Sequence, residues 1–490
     1  MKKYLIANKL PVTMEWVGKL NRFIFVSLVT FAVLTCSAGY EKEIEHAETS
    51  FYQERFSEAI PDFRELVKSS SNTDRLLYLM EAGIVFHTEE KYAKSNKVFK
   101  QAESLADTLH TSASKQGLSF VLSDRQSNFK GESFERVLIK FYIGLNYALL
   151  GDMENAKRSF KKVEFELKNM KVLEKSYRQN LVARYLDAII SENQGKYNDA
   201  RVEYRNLLAQ NPQFKDGLAD RYILAVKEGD PDDMAKYAEG AGYVKAFDAN
   251  LQPIPYRPGL AEVVVVHQAG KSAVKESRGR LFEDKVFGSV LRATIEGMLR
   301  SRSTSLSTAT VVAMFALAEN PIPKYKRRDI GSTREAQIFL NQAPLLQTIV
   351  LNDYSATAMH SFNDNYSKIV AKNVASIATK FVAAALTAHA AKSAFVQKNK
   401  KKKGQQGAEI VGDIVGAVVG AAAGFGLSAT IKPDLRCWRL IPSNFQVRRF
   451  FIEAGSYEFE LVSSGRKRRK KTLTLNLEEG KLKVVNFRSF

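Results

Sequence analysis

Small and aromatic residues recur at a fixed spacing along the first half of the chain. In the stretch FYIGLNYALLGDMENAKRSFKKV, the frame consists of Gly144, Tyr147, Ala156, Phe160 and Val163. Three further stretches keep this frame, at residues 47–66, 83–102 and 188–207. Small residues let two antiparallel helices approach closely, and aromatic residues fill the gap between successive helix pairs. The pattern therefore predicts a stack of helical hairpins with a shared core.

This frame resembles the tetratricopeptide repeat, whose units are helix–turn–helix hairpins of similar length. The resemblance implies an α-helical solenoid over residues 37–250, with a concave groove that binds a peptide or helix of a protein partner. The polar insert Thr108–Glu132 is predicted as a long loop or a short element outside the repeats. The proline-rich stretch 251–259 cannot continue a helix and predicts a boundary to a second domain, residues 251–490.

The second half changes to β-rich patterns. Apolar, β-branched runs predict strands at Ala261–His267, Ala309–Leu317, Ala336–Leu340 and Leu346–Leu351. Within a β-rich end at 436–490, the alternating stretches 456–462, 471–477 and 481–487 predict three strands of a small antiparallel sheet. The sequence thus predicts a multidomain chain, a tetratricopeptide-like solenoid followed by an α+β domain with a C-terminal antiparallel β segment.

A long helix and a glycine-rich helix lie between these strands. Residues Tyr366–Phe395 have helical apolar spacing, and the lysine-rich run Lys398–Gly404 is predicted as a solvated loop. Glycines spaced by four then place one small face on a helix over 408–430, at Gly412, Gly416, Gly420 and Gly424. This face is expected to pack against the preceding helix, while membrane insertion and self-association are the two alternatives.

A further cluster lies before Pro442 and consists of Asp434, Arg436 and Trp438. Asp434 and Arg436 predict a buried ion pair that anchors the last sheet, and Cys437 is predicted to be a small apolar core residue. Trp438 is expected to be buried beside them, with a carbohydrate platform as the alternative. We find no spacing that indicates a catalytic triad, a metal site or a cofactor, so the sequence predicts a protein that is not an enzyme.

The N-terminal residues have the layout of a secretory signal. An uncharged apolar run, Phe23–Thr35, follows Lys19 and Arg22, and a start at Met14 would shorten the basic region before it. The run ends at Cys36, which resembles the lipidated cysteine of bacterial lipoproteins and predicts a signal peptide over residues 1–36. Thr35 departs from the usual small residue before that cysteine. Cleavage after Ala38 and an uncleaved anchor helix remain alternatives.

The net charge of the chain then restricts the class of partner. The chain has 73 basic and 53 acidic residues, a formal net charge of +20. An exported basic protein has little access to nucleic acid, so its anionic partners are expected to be a membrane surface or an envelope polymer. Two dense basic runs are candidate contacts for such surfaces, with solvated loop tips as the alternative interpretation: Lys400, Lys401, Lys402 and Lys403 in the first run, and Arg466, Lys467, Arg468 and Arg469 in the second.

Most of the chain also resembles a family of uncharacterised bacterial lipoproteins with tetratricopeptide N-terminal parts. The matching motifs are GLAEVVVVHQAGKSAVK at 259–275, Ile377-Ala378-x-Lys380, the stretch 434–442, and Ala454-Gly455-x-Tyr457. This resemblance implies an outer-membrane lipoprotein that faces the periplasm and is associated with envelope biogenesis. The expected function is a non-catalytic scaffold that binds protein partners through its repeats. The alternative is a subunit of an envelope assembly or secretion complex that self-associates or contacts membrane through the glycine-rich helix.

Overall fold

The computed structural model describes residues 40–70, 73–115, 127–169, 180–301, 318–328, 334–464 and 468–490. The predicted signal peptide with Cys36 and the predicted strand Ala309–Leu317 lie outside these residues. The N-terminal helices are α1 (Tyr40–Tyr52), α2 (Phe56–Ser69), α3 (Arg75–Thr88), α4 (Tyr92–Lys115), α5 (Ser133–Leu149), α6 (Met153–Asn169), α7 (Leu181–Asn193), α8 (Tyr197–Gln210), α9 (Lys215–Glu228), α10 (Pro231–Lys236) and α11 (Ala238–Ala241).

The remaining chain is mixed. Its helices are α12 (Lys285–Arg300), α13 (Tyr354–Asp364) and α14 (Tyr366–Thr430), with one 3-10 turn at Leu281–Glu283. Its strands are β1 (Ala246–Phe247), β2 (Ala261–Ala269), β3 (Val274–Glu276), β4 (Lys324–Lys326), β5 (Ala336–Leu340), β6 (Ala343–Gln347), β7 (Ile349–Asp353), β8 (Asn444–Ile452), β9 (Gly455–Ser463), β10 (Lys470–Leu477) and β11 (Leu482–Ser489).

The N-terminal helices pair as the sequence frame predicts. In α3, a Cβ atom built on Gly83 would lie 2.4 Å from the ring of Phe99 in α4. In α5, a Cβ atom on Gly144 would lie 2.6 Å from the ring of Phe160 in α6. Each glycine therefore makes room for an aromatic ring of the second helix, which confirms the predicted association of small and aromatic residues in these two hairpins. The helix α4 extends through Lys115, into the first part of the predicted polar insert.

Two sheets follow the helices. The first has five strands: β11 pairs parallel with β2, β2 antiparallel with β8, and β8 pairs with β7 and β1. The second is antiparallel, in the order β10, β9, β5, β6. The predicted hairpin of β9 and β10 is confirmed. The expectation that the third C-terminal strand joins them is wrong, because Leu482–Ser489 pairs along its whole length with Ala261–Ala269 in the first sheet.

The first sheet is covered on both faces. Val263 and Val265 of β2 pack in one core with Ile338, Phe459 and other residues of the second sheet. Val264 and Val266 belong to another core, which includes the N-terminal helices. Successive residues of a strand point to opposite faces, so a strand between two layers is apolar on both faces over most of its length. This explains the run of four valines at 263–266 in β2, all nine residues of which are buried.

The long helix α14 folds back on itself. A Cβ atom on Gly412 would lie 2.4 Å from Val396, and one on Gly416 would lie 3.1 Å from Cβ of Lys392. In a straight helix, twenty residues would separate Gly412 from Lys392 by about 30 Å. Both contacts are centred on residue 404, so the chain reverses there, although residues 398–404 are helical and not the predicted loop. The predicted packing of the glycine face on the preceding helix is confirmed at Gly412 and Gly416.

Candidate functional site

The concave face of the helical repeats is the candidate site that the sequence predicts for a partner. The first helix of each hairpin is far more buried than the second: twelve of the fourteen residues of α3 are buried, against Ala59 and Phe63 alone in α2. The cover over α3 and α5 is the chain's own segment Asp434–Ser443, which has neither helix nor strand. We call this stretch the groove segment.

Buried carboxylates of the repeats bind the backbone of the groove segment. The N–H of Trp438 donates to Oε1 of Glu135 at 2.7 Å. The N–H groups of Arg439 and Leu440 donate to the two carboxylate oxygens of Glu81 at 2.7 and 3.1 Å. Backbone groups outside regular structure need such partners when they are buried. Glu81 of α3 and Glu135 of α5 thus fix three successive amides in the groove.

Arginines of the groove segment reach the same helices. Arg436 contacts Asp434 at 2.7 Å, as predicted, and also Asp74 at 2.8 Å, so the pair ties the segment to the repeats rather than to the last sheet. Arg439 lies 2.7 Å from Glu48 of α1. Trp438 is 1% exposed, so the alternative of a carbohydrate platform is wrong. The predicted burial of Cys437 is confirmed, and burial raises the pKa of its thiol to about 11.

Further along the groove, strand β8 contacts the helices in place of the groove segment. Arg449 lies 2.7 Å from Glu192 of α7, 2.8 Å from Asp220 of α9 and 2.9 Å from Glu262 of β2. Burial alone would raise the pKa of Glu192, but Arg449 and Lys227 outweigh it and lower that pKa to about 2. Burial raises the pKa of Asp220 to about 7 despite Arg449. The ion pairs join two repeats to the sheet.

A neutral network lies between these two charged parts. The Tyr142 hydroxyl donates to Oε1 of Gln268 in β2 at 2.8 Å, and Nε2 of Gln268 lies 2.6 Å from His87. The other ring nitrogen of His87 lies 2.6 Å from Asn146. Burial lowers the pKa of His87 to about 4, so the ring is neutral at pH 7. The groove is therefore lined by polar contacts to the chain's own sheet, and a partner peptide would have to displace them.

The repeats and the sheet also share one hydrophobic core. It joins Phe99, Phe141 and Tyr142 of the helices to Trp438 and Phe445 of the later chain. The rings of Phe141 and Phe445 meet edge to face at 5.1 Å. The N-terminal helices form a tetratricopeptide-like solenoid. Its concave face packs against the rest of the protein instead of remaining an open groove.

Comparison with solved structures finds similarities to several helical-repeat proteins. The structure is similar to MamA, with 11% identity and a TM-score of 0.30 over 40% of this chain and 87% of that one. It is similar to YrrB, described as a TPR protein with an unusual peptide-binding site, with 11% identity and a TM-score of 0.30 over 43% and 89%. TPR-like repeats of a Podosopora anserina kinesin light chain match with 12% identity and a TM-score of 0.30 over 41% and 92%.

A scan against protein-family models finds no match, and a search of curated proteins finds none either. The solenoid assignment therefore rests on the helix pairing and the glycine–aromatic contacts described above. Within the described ranges, no group of three or more His, Cys, Asp or Glu side chains is arranged to hold a metal ion.

The basic residues proposed as surface contacts have different environments. Lys400 is exposed on α14, whereas the side chains of Lys401, Lys402 and Lys403 lie outside the described part, as do Arg466 and Lys467. Arg468 is exposed. Arg469 points into the protein, because its guanidinium lies 3.2 Å from Glu54 and 5.2 Å from the centre of the Phe490 ring. The contact of these basic residues with an anionic surface stays a prediction.

The reversal at residue 404 divides α14 into two arms, residues 366–403 and 405–430, and the second arm carries an exposed apolar stripe. Ile410, Ile414 and Val418 recur every four residues on the second arm and are 60%, 58% and 63% exposed. The stretch Tyr366–Lys400 is long and apolar enough to cross a membrane by length and composition, with a mean hydropathy of 1.5, and 39% of that window is buried within the protein. The base of the arms packs on α12, in a core that includes Phe381 and Leu291.

Sequence reasoning missed the acidic residues of the groove. Glu81 lies in RLLYLMEAGIVFHT and Glu192 in LVARYLDAIISEN, helices that are otherwise largely apolar. An acidic residue in such a helix was a signal, because a buried charge needs a partner of opposite charge or several hydrogen bonds. The partners themselves, more than two hundred residues away, left no local signal.

Proposed function

We propose that this protein is an exported, non-catalytic scaffold of the bacterial envelope, tethered by lipid at Cys36 on the periplasmic side of the outer membrane. The leader-like run before Cys36 and the resemblance to bacterial lipoproteins support the export and the tether. The helical solenoid supports the scaffold role, since repeat arrays present extended surfaces to other proteins. A tether raises the effective concentration of such a surface near its partner, so that modest affinity is sufficient.

The observation that carries the scaffold role is the exposed stripe of the α14 arms. The groove is filled by the groove segment and β8, whereas Ile410, Ile414 and Val418 face solvent on one side of a helix. Such a stripe, with apolar residues at i, i+4 and i+8, is the anchor pattern of helix-in-groove and helix-pairing interactions. We therefore place the partner surface on the arms, and the partner is a protein with an apolar groove or helix.

Site-specific photo-crosslinking in intact cells tests this surface. A photoreactive residue at Ile414 is expected to give a discrete adduct with one envelope protein. The same residue at Val202, which is 42% exposed on α8, is the matched control and should give none. If Ile414 gives no adduct while the protein is folded and abundant, the arms are not the partner surface.

The tether is tested separately by metabolic labelling with a fatty acid. The wild-type chain is expected to incorporate label and to fractionate with the outer membrane, and Cys36→Ser should abolish the label. An unlabelled wild-type chain in the cytosol would contradict both export and anchoring.

A second candidate function is a self-associating subunit of an envelope assembly, and the same stripe favours it. A patch on a single helix can pair with its own copy across a two-fold axis. In that case, sedimentation velocity on the chain without residues 1–36 should show a concentration-dependent dimer. Ile414→Asp should return it to a monomer and Val202→Asp should not. A monomer at all concentrations would exclude this function.

A further inference from the structure

A cavity of about 400 Å³ lies where the repeats, the sheet domain and the α14 arms meet. Its walls come from the loop 127–133, from Lys275 of β3, from the first turns of α14 and from residues 431–436. This volume is in the range of small-molecule sites, about 300–1,000 Å³. The cavity shares Asp434 and Arg436 with the start of the groove segment, whereas no residue of the exposed stripe lines it.

The residues that line the cavity are strongly basic. Six cationic side chains line it: Lys130, Lys275, Lys372, Lys380, Lys432 and Arg436. Two lining side chains are acidic, Glu132 and Asp434. The lining side chains therefore carry a formal charge of +4, which the carboxylate of Asp74 beside Arg436 reduces to +3. A cleft lined by one sign of charge with low-dielectric walls concentrates ions of the opposite sign.

Part of this charge is held in place by ion pairs. Nζ of Lys275 lies 2.6 Å from Glu132, and Arg436 lies 2.7 Å from Asp434 and 2.8 Å from Asp74. The planar guanidinium, which is the group best suited to two-pronged recognition of a carboxylate, is thus engaged with the protein's own carboxylates. The other cationic groups of the lining are lysines, which act as compact point charges and are common ligands of phosphate.

The lysines of α14 are placed to contact one extended anion. Lys372 and Lys380 are eight residues apart on the same helix, a rise of about 12 Å. Asn373 and Ser376 line the cavity between them and add polar groups that can donate hydrogen bonds. Lys432 approaches from the chain after the second arm. A group with more than one negative charge would contact several of these residues at once.

The remaining walls are apolar. Phe129, Phe362, Ile377 and Ile431 line the cavity and are at most 7% exposed themselves. A site with cationic and apolar walls suits a ligand that has a charged end and a less polar remainder. A bare inorganic ion would leave these apolar walls without contacts.

We propose that this cavity binds a small molecule through a phosphate or diphosphate group, with the lysines of α14 contacting the phosphate and the aromatic walls contacting the rest of the molecule. The phosphate belongs either to a free metabolite or to the head group of a lipid. The two sources share the same recognition chemistry.

Isothermal titration calorimetry of the full chain with inorganic pyrophosphate tests the proposal at low salt. Wild-type protein is expected to bind pyrophosphate, and Lys372→Gln/Lys380→Gln should weaken binding by about tenfold or more, which corresponds to about 1.4 kcal/mol. The matched control is Lys368→Gln/Lys398→Gln, which removes two exposed lysines from the same helix outside the cavity. It should change the dissociation constant less than about twofold.

Two competition arms define the ligand class. Succinate, a dicarboxylate of similar charge, should compete poorly, whereas a short-chain phosphatidylglycerol below its micellar concentration should compete if the source is a lipid. Failure of the lipid to compete while pyrophosphate binds assigns the site to a free phosphorylated metabolite. The proposal is overturned if pyrophosphate does not bind, if succinate binds as tightly, or if both double variants lose equal affinity.

Discussion

The backbone N–H of Arg439 donates a hydrogen bond of 2.7 Å to the carboxylate of Glu81, across 358 residues of sequence. The same carboxylate accepts the N–H of Leu440 and the hydroxyl of Tyr40. One side chain of the second hairpin therefore satisfies three buried donors from two distant parts of the chain. These hydrogen bonds join the solenoid to the sheet domain.

Removing this carboxylate should destabilise the protein. Glu81→Ala leaves two backbone N–H groups buried without an acceptor, and each such group costs about 1–3 kcal/mol. Urea denaturation should show a lower free energy of unfolding for this variant. Glu65→Ala, at an exposed position of α2, is the control and should change it by less than about 0.5 kcal/mol. Equal effects of both variants would mean that the groove segment is not held by Glu81.

Stability should fall as pH rises from 6.5 to 8. Burial raises the pKa of Glu81 to about 8, and those of Glu135 and Asp220 to about 7. A carboxyl with a higher pKa in the folded state binds its proton more tightly there than in the unfolded chain. Its stabilising contribution to the free energy of unfolding is therefore largest below pH 4.5, and it is lost as the pH rises through the pKa of the folded state. Each such group contributes a slope of up to about 1.4 kcal/mol per pH unit.

Two buried histidines set the lower limit of that window. Burial lowers the pKa of His87 to about 4 and that of His267 to about 3, so they destabilise the folded state as pH falls below 6.5. Above pH 6.5, the slope of the unfolding free energy against pH therefore reports mainly on the carboxyls. The double variant Glu81→Gln/Glu135→Gln should make this slope shallower, and Glu65→Gln should leave it unchanged. A free energy of unfolding of the wild-type protein that is constant between pH 6.5 and 8 would contradict the raised pKa values.

Features set by local spacing could be predicted from the sequence. The frame that places Gly83 against Phe99 and Gly144 against Phe160 depends on residues less than twenty positions apart, and the structure has both contacts. The β2 run and the β9–β10 hairpin are likewise local patterns. In each case the local pattern of side chains determines the type of element and which of its faces is buried. In the two helical hairpins and the β9–β10 hairpin, a partner close in sequence also covers that face.

Features that depend on distant partners could not be predicted. Strand β8, Asn444–Ile452, includes Arg448 and Arg449, which interrupt the alternation expected of a strand. Arg449 is buried and Arg448 is half-buried, and Asp220 and Glu192 of the solenoid face the first as Asp216 faces the second. The third C-terminal strand, β11, also depends on a distant partner. It pairs with β2, which is buried on both faces, and not with β9 and β10.

Arg449 is the residue whose loss should destabilise this junction most. Its replacement by Met takes away the cation 2.8 Å from Asp220 and leaves Lys227 to face both Glu192 and Glu262. Breaking a buried pair on one side costs about 3–5 kcal/mol. The midpoint of urea unfolding should drop accordingly. Arg468→Met, at an exposed position, is the control and should leave the midpoint nearly unchanged. A loss below about 1 kcal/mol would show that the carboxylates find other partners.

The two arms of α14 provide a matched pair of glycines. A Cβ atom on Gly412 would lie 2.4 Å from Val396 of the other arm, whereas one on Gly426 would meet no atom within 4 Å. Replacing either helical glycine by alanine gains about 0.8–1.0 kcal/mol of helix propensity. Gly426→Ala should therefore stabilise the arms.

At Gly412 the same substitution forces Val396 to move, and overpacking of this kind costs about 1–3 kcal/mol, which offsets or exceeds the gain. Hydrogen exchange of the α14 amides measures the difference locally, because the arms can open without unfolding the solenoid. Slower exchange in Gly426→Ala and faster exchange in Gly412→Ala are expected. Slower exchange in both variants would mean that the arms do not pack through the glycine face, and the stripe at Ile410, Ile414 and Val418 would then lose its fixed orientation toward solvent.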